Sequence, residues 1–219
     1  MKKRMLILAG LGVVLATTPT YGADCCNKGG ACHSAPAEFA PAAISDKSLY
    51  QLEVTWTNDS ARPVRLSSLT GRPQVVTMFF AQCQYACPLL VYKMQQLEEA
   101  LPPNVRTNTG FTLISFDSKR DTPAALSAYR QQHKLNANWT LLHGNPDEVL
   151  EMAALLGVKF KETAQGQFEH SNLITVLNAN GELVYQESGL TLQTAELVRQ
   201  LEKLEPAANA ILRPVLGKK

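Results

Sequence analysis

"QVVTMFFAQCQYACPLLVYKM", residues 74–94, runs from a β-branched and aromatic stretch through two cysteines into a helical pattern. The opening Gln74–Phe80 has the composition of a strand buried on both faces. From Pro88 onward, Leu89, Leu90, Tyr92, Lys93, Met94, Leu97 and Leu101 recur at helical spacing, and Pro102-Pro103 reads as the stop. Cys83 and Cys87 fall where the strand ends and the helix begins. Residues four apart on a helix share a face, so the two sulfurs can converge. The amides at a helix N-terminus also stabilise a thiolate, lowering its pKa from about 8.5. Disulfide exchange, soft-metal binding and a buried structural pair all remain open at this point.

Outward from that stretch the chain reads as alternating elements. Upstream, "YQLEVTWTN" (50–58) alternates apolar and polar positions like a strand. A turn at "NDSARP" and a second short strand or turn in "VRLSSLTGRP" follow it. Downstream, "GFTLISFD" (110–117) is a buried strand. "RDTPAALSAYRQQHKL" (120–135) is a helix with Asp121 or Thr122 as its cap and Pro123 in its first turn. "NWTLLHG" (138–144) is a strand, and "NPDEVLEMAALLG" (145–157) a helix closed by Gly157. "HSNLITVLNANGELVYQESG" (170–189) reads as a β-hairpin turning at Asn180-Gly181, and "TLQTAELVRQLEKL" (191–204) as a final helix. Parallel crossover units with a terminal hairpin make an α/β domain over residues 49–206. Its strand, helix, strand, helix, hairpin, helix sequence resembles the thioredoxin order, with an N-terminal β extension and a C-terminal hairpin plus helix. There is no internal repeat and no phosphate-binding glycine loop.

The ends carry different signals. Lys2, Lys3 and Arg4 precede the apolar run Met5–Ala16, and small residues Gly22 and Ala23 follow. That is the layout of a secretory signal over residues 1–23, with an uncleaved membrane anchor as the alternative. Without those three cations the chain holds 18 basic and 19 acidic side chains, so the formal net charge of +2 belongs to the leader and marks no nucleic-acid-binding face. Export places the five cysteines in an oxidising compartment, the periplasm, where thiols must be paired, liganded or kept reduced. Residues 24–48 read as a flexible arm, and 207–219 as a tail. Within the arm, Cys25, Cys26, Cys32 and His33 can serve as an auxiliary metal site, form a disulfide, or stand idle.

A third side chain narrows the readings of Cys83 and Cys87. Thioredoxin-like redox enzymes generally use C-x-x-C and resemble one another in carrying a proline before the strand that faces the active site. Here the spacing is C-x-x-x-C, and counting back from the hairpin puts Asn172 at the proline's place with His170 just before it. A histidine facing two thiolates completes a sulfur and nitrogen set. Thiolates favour Cu(I) and imidazole accommodates Cu(II), whereas structural zinc generally takes four ligands.

"CQYACP" (83–88), "SFDSKRDTP" (115–123) and "FEHSNLITVLNANGEL" (168–183) together resemble the SCO/SenC family of copper chaperones for cytochrome c oxidase assembly. The resemblance spans roughly residues 49–204 and does not include the arm. It implies a thioredoxin-like fold, copper held by Cys83, Cys87 and His170, and Asp117 tuning or neighbouring the site. The sequence departs from the family at Ser118, where proline is frequent, and at Gln82 and Gln84. The implied function is that of a periplasmic metallochaperone rather than an enzyme. It would deliver copper to the binuclear copper centre of an oxidase subunit, or exchange it with another copper chaperone. The alternatives are a thiol-disulfide reductase working through a Cys83–Cys87 disulfide, and a copper storage or resistance protein using the arm. Simpler roles attach to the neighbours: Asp121 as a helix cap, His143 as a loop residue, His133 as a solvated helix residue, Trp56 and Trp139 as core.

Overall fold

The computed structural model describes residues 45–188 and 192–204. The expected leader, the tail at 207–219 and the arm through residue 44, with Cys25, Cys26, Cys32 and His33, lie outside the described residues. The strands are β1 (Thr55–Asn58), β2 (Pro63–Arg65), β3 (Gln74–Phe79), β4 (Gly110–Ser115), β5 (Trp139–His143), β6 (Phe160–Glu162), β7 (Phe168–His170), β8 (Leu173–Leu177) and β9 (Leu183–Ser188). The helices are α1 (Ala86–Ala100), α2 (Pro103–Asn108), α3 (Pro123–Gln132), α4 (Pro146–Leu155) and α5 (Thr194–Lys203). Among the described residues, no helix is long and apolar enough to cross a membrane.

Seven strands form one sheet in the order β2-β1-β5-β4-β3-β8-β9. The centre, β3-β4-β5, is parallel, because helices return the chain between those strands. The β8–β9 hairpin adds antiparallel to β3, and the β1–β2 hairpin adds antiparallel to β5. Every residue of β3 and β4 is buried, so both faces of the sheet centre are covered, as their unbroken apolar composition requires. The register pairs Phe79 with Ser115, which sets the carboxyl ends of β3 and β4 side by side. In open α/β sheets, ligands gather outside such carboxyl ends, where the strand order switches direction. Here that point lies between β4 and β8.

Five details differ from the sequence reading, each for a physical reason. The strand expected from Tyr50 starts only at Thr55, because Leu49–Gln51 form a 3-10 turn whose first amides Ser48 caps. Tyr50 packs against the β8–β9 turn so closely that a Cβ on Gly181 (φ +80°) would lie 2.5 Å from its ring. The Pro102-Pro103 stop ends α1, yet Pro103 opens α2, since a first-turn proline loses no helical hydrogen bond. Of the expected apolar positions of α1, Leu90, Met94 and Leu97 are buried alongside Val91, whereas Leu89 and Tyr92 face outward at 40% and 54% exposure. His143 ends strand β5 instead of lying in a loop, and His133 caps the C-terminus of α3 with its ring 4.2 Å from Tyr129. Trp56 and Trp139 are core residues, as expected.

The fifth difference matters most for function. Residues 160–170 form a separate two-stranded ribbon, β6–β7, that shares no ladder with the main sheet. His170 ends β7, and the hairpin begins only at Leu173.

Candidate metal centre

Strand β3 delivers Phe80 to a tight turn closed by the Cys83 amide donating to the Phe80 carbonyl at 3.2 Å. Helix α1 starts three residues later, so Cys87 lies in its first turn and its amide donates to Cys83 Sγ at 3.3 Å. The ribbon brings His170 in from the other side, with Nε2 3.6 Å from Cys87 Sγ. The donor atoms of Cys83, Cys87 and His170 all lie within 4.8 Å of one another, close enough to hold one metal ion. Both cysteines are free; Cys87 is wholly buried, while Cys83 and His170 keep some exposure.

Local chemistry makes the two sulfurs unequal. The hydrogen bond from the Cys87 thiol, aided by the Cys87 and Tyr85 amides and by His170, pulls the Cys83 thiol down to about 4. The same hydrogen bond and burial push Cys87 up, reinforced by the negative charges of Cys83 and Asp121. The asymmetry favours the thiolate at Cys83 and the proton at Cys87. The imidazole is oriented too. His170 Nδ1 lies 3.1 Å from the Ser171 carbonyl, which can only accept, so Nδ1–H donates there and Nε2 is the nitrogen turned to the sulfurs. Phe116 and Phe80 flank the ring, with centroids at 5.0 and 6.1 Å.

Two acidic residues stand behind these groups. Asp117, the expected neighbour of the site, is buried and accepts from the Arg120 amide at 3.1 Å and from Arg120 Nε. It thus serves the loop after β4 and has no bond to either sulfur. Asp121 is not the cap of α3; Thr122 takes that role, accepting from the Ala125 amide. Asp121 instead turns inward, where Oδ2 accepts from the Ala81 amide at 2.8 Å and from Ser115 Oγ at 2.6 Å. Burial raises its pKa, and its other oxygen, Oδ1, has no partner. Asp121 is the residue that sequence reasoning missed: it pins the first residue of the cysteine loop. Its spacing from the end of β4 was legible; its inward turn was not.

The match to known proteins follows the same segments. The SCO1/SenC family model covers residues 43–205, which include all three donors and the whole described sheet. The chain belongs to the SCO1/SenC family. A SCO1 protein homolog of Bacillus subtilis is 26% identical over 154 residues, covering 67% of this chain and 78% of that protein. The structure of Bradyrhizobium japonicum ScoI with copper bound superposes with a TM-score of 0.60 at 22% identity, over 69% of this chain and 96% of that one. BsSco is a member of the Sco family of cytochrome c oxidase assembly proteins in which a disulfide switch was identified. It superposes with a TM-score of 0.60 at 20% identity, over 69% and 90% of the two chains. These likenesses establish the thioredoxin-like α/β fold expected from the order of elements.

Proposed function

We propose that this SCO1/SenC protein binds one copper ion through Cys83 Sγ, Cys87 Sγ and His170 Nε2 and carries it as cargo. Its recipient is a copper-site subunit of cytochrome c oxidase, or another copper chaperone, in the periplasm. The single observation behind this reading is the convergence of the three donors within 4.8 Å. Copper bound in ScoI and the oxidase-assembly role of the family that includes BsSco support the choice of metal and recipient. Two thiolates suit Cu(I) and the imidazole keeps Cu(II) tolerable, so one site serves both oxidation states.

Loading displaces the proton held by Cys87, since a thiolate is the ligand. Delivery is ligand exchange: a thiolate of the recipient enters as one donor leaves, and a set of only three donors leaves room for it. Joining the sulfurs in a disulfide removes both thiolates and closes the site to copper.

A second reading, thiol-disulfide reduction, draws on the unequal sulfurs. The Cys83 thiolate would attack a partner disulfide and expel one partner sulfur. Cys87 would then attack the mixed disulfide, its proton passing to the second leaving sulfur. His170→Ala separates the two readings. Anaerobic loading of the reduced mature protein, with copper counted per chain after desalting, should give one for wild type and none for Cys83→Ala. On the copper reading His170→Ala should lose copper during desalting; on the reductase reading it should still reduce a disulfide substrate at close to the wild-type rate. Undiminished copper in His170→Ala would refute the three-donor site. A storage role would show instead as copper lost in proportion when residues 24–33 are deleted.

A further inference from the structure

The ribbon that carries His170 pairs with no strand of the main sheet, so something else must hold its nitrogen at the sulfurs. Its apolar side lies against the domain: Phe160 stacks on Phe116 at 5.1 Å, and Phe168 packs against Phe80 at 5.2 Å. Such contacts are favourable but weakly directional, and by themselves they tolerate sliding. Directional attachment comes from Arg120. Its Nε and amide bind the Asp117 carboxylate, and its Nη1 donates to the Gly166 carbonyl at the ribbon's turn. The guanidinium also lies 5.4 Å over the Phe168 ring, and Nη2 approaches Glu162 at 3.9 Å. Gly166 suits this contact: its φ is +70°, and a Cβ there would lie 2.9 Å from Nη1. The other polar tie, Lys119 to Glu162 at 3.5 Å, joins two well-exposed side chains and contributes little.

The strut is anchored where the cysteine loop is anchored. Ser115 Oγ, at the end of β4, accepts from the Asp117 amide at 3.0 Å and donates to Asp121 Oδ2 at 2.6 Å. From that one hydroxyl, one arm runs through Asp121 to the Ala81 amide and the cysteines. The other runs through Asp117 and Arg120 to Gly166 and the histidine. We propose that Arg120 is a positioning residue for copper: it never touches the ion, but sets affinity by fixing His170 relative to Cys83 and Cys87. This rests on the copper reading above.

The test is a double-mutant cycle of R120A with H170A, reading Cu(I) affinity by competition with bathocuproine disulfonate. The thiolate-to-Cu(II) charge-transfer band and the count of reactive thiols are followed in parallel. R120A should weaken binding by about tenfold, the low end for groups that orient a metal ligand, and should shift the band while the thiol count stays at the wild-type value. In the H170A background the same change should have no further effect, because its only route to the metal is gone. R120K keeps the charge but not the planar fork, so it should fall between wild type and R120A. Should R120A fail to fold, the cycle is read with R120K. Wild-type affinity in the Arg120 variant, or an equal loss in both backgrounds, overturns the positioning role. Wild-type affinity in H170A overturns the three-donor reading instead.

Discussion

Below pH 8 Cys83 should be a thiolate where an ordinary cysteine is not, and the consequence can be measured as a pH profile. A thiol of pKa about 8.5 is roughly 0.3% ionised at pH 6, so its alkylation slows by more than a hundredfold between pH 8.5 and 6. Cys83, drawn down to about 4, stays almost fully ionised across that interval, and its rate should change by less than about twofold. The absolute rate will be unremarkable, because a Brønsted slope of about 0.4–0.5 over some 4.5 units makes the stabilised thiolate roughly a hundredfold less nucleophilic. The shape of the profile is therefore the measurement. Reduced apo-protein is alkylated with iodoacetamide under anaerobic conditions, and modification is followed site by site by mass spectrometry. Buried Cys87 should stay unmodified while Cys83 reacts. Cys87→Ala removes the hydrogen bond that contributes most to the low value, so the midpoint for Cys83 should climb toward that of a simple thiol. A wild-type midpoint near 8.5, or Cys87 reacting before Cys83, would refute the assignment of thiolate and proton.

Glu98 is buried and accepts from Trp139 Nε1 at 2.7 Å and Asn136 Nδ2 at 2.9 Å. Glu98→Ala strands those donors and should cost about 2–3 kcal/mol in urea unfolding while leaving copper stoichiometry at the wild-type value. A Cβ on Gly110 would lie 2.2 Å from the side-chain oxygen of fully buried Gln74, so Gly110→Ala should lower stability by about 1–3 kcal/mol, read as a drop in thermal midpoint. Free Cu(I) at a hundredfold over its Kd should stabilise the reduced protein by about 2.7 kcal/mol, an increment absent from Cys83→Ala in calorimetry.

The strongest local signals were the long ones. Gln74–Phe80 is buried at every position, and the helix behind the cysteines has the period needed to bury Leu90, Met94 and Leu97, so strand, junction and helix were legible together. The convergence of Cys83 and Cys87 followed from their spacing, whereas His170 came from counting back along the thioredoxin order. The ribbon was not legible, because β6 and β7 have only three residues each, too few to show a period. Its turn residue, Gly166, carries no distinguishing signal in the sequence; what sets it apart is the Arg120 guanidinium donating to its carbonyl. Asp121 and Thr122 were equal candidates for the cap of α3, and only the fold shows that the hydroxyl caps while the carboxylate turns toward Ala81. Asp117 was expected to tune or neighbour the site; the fold shows its carboxylate paired with the Arg120 guanidinium, a partner the sequence did not mark.

The donors ride on two bodies with separate hydrogen-bond ladders, sulfur on the sheet-and-helix frame and nitrogen on the ribbon. An ion bound to all three would add one more tie between those bodies, beside the Arg120 contact and the aromatic packing that hold the ribbon without it. Occupancy should therefore be felt as stiffness: amides of residues 160–170 should exchange with deuterium more slowly when copper is aboard, while those of β3 and β4 scarcely notice.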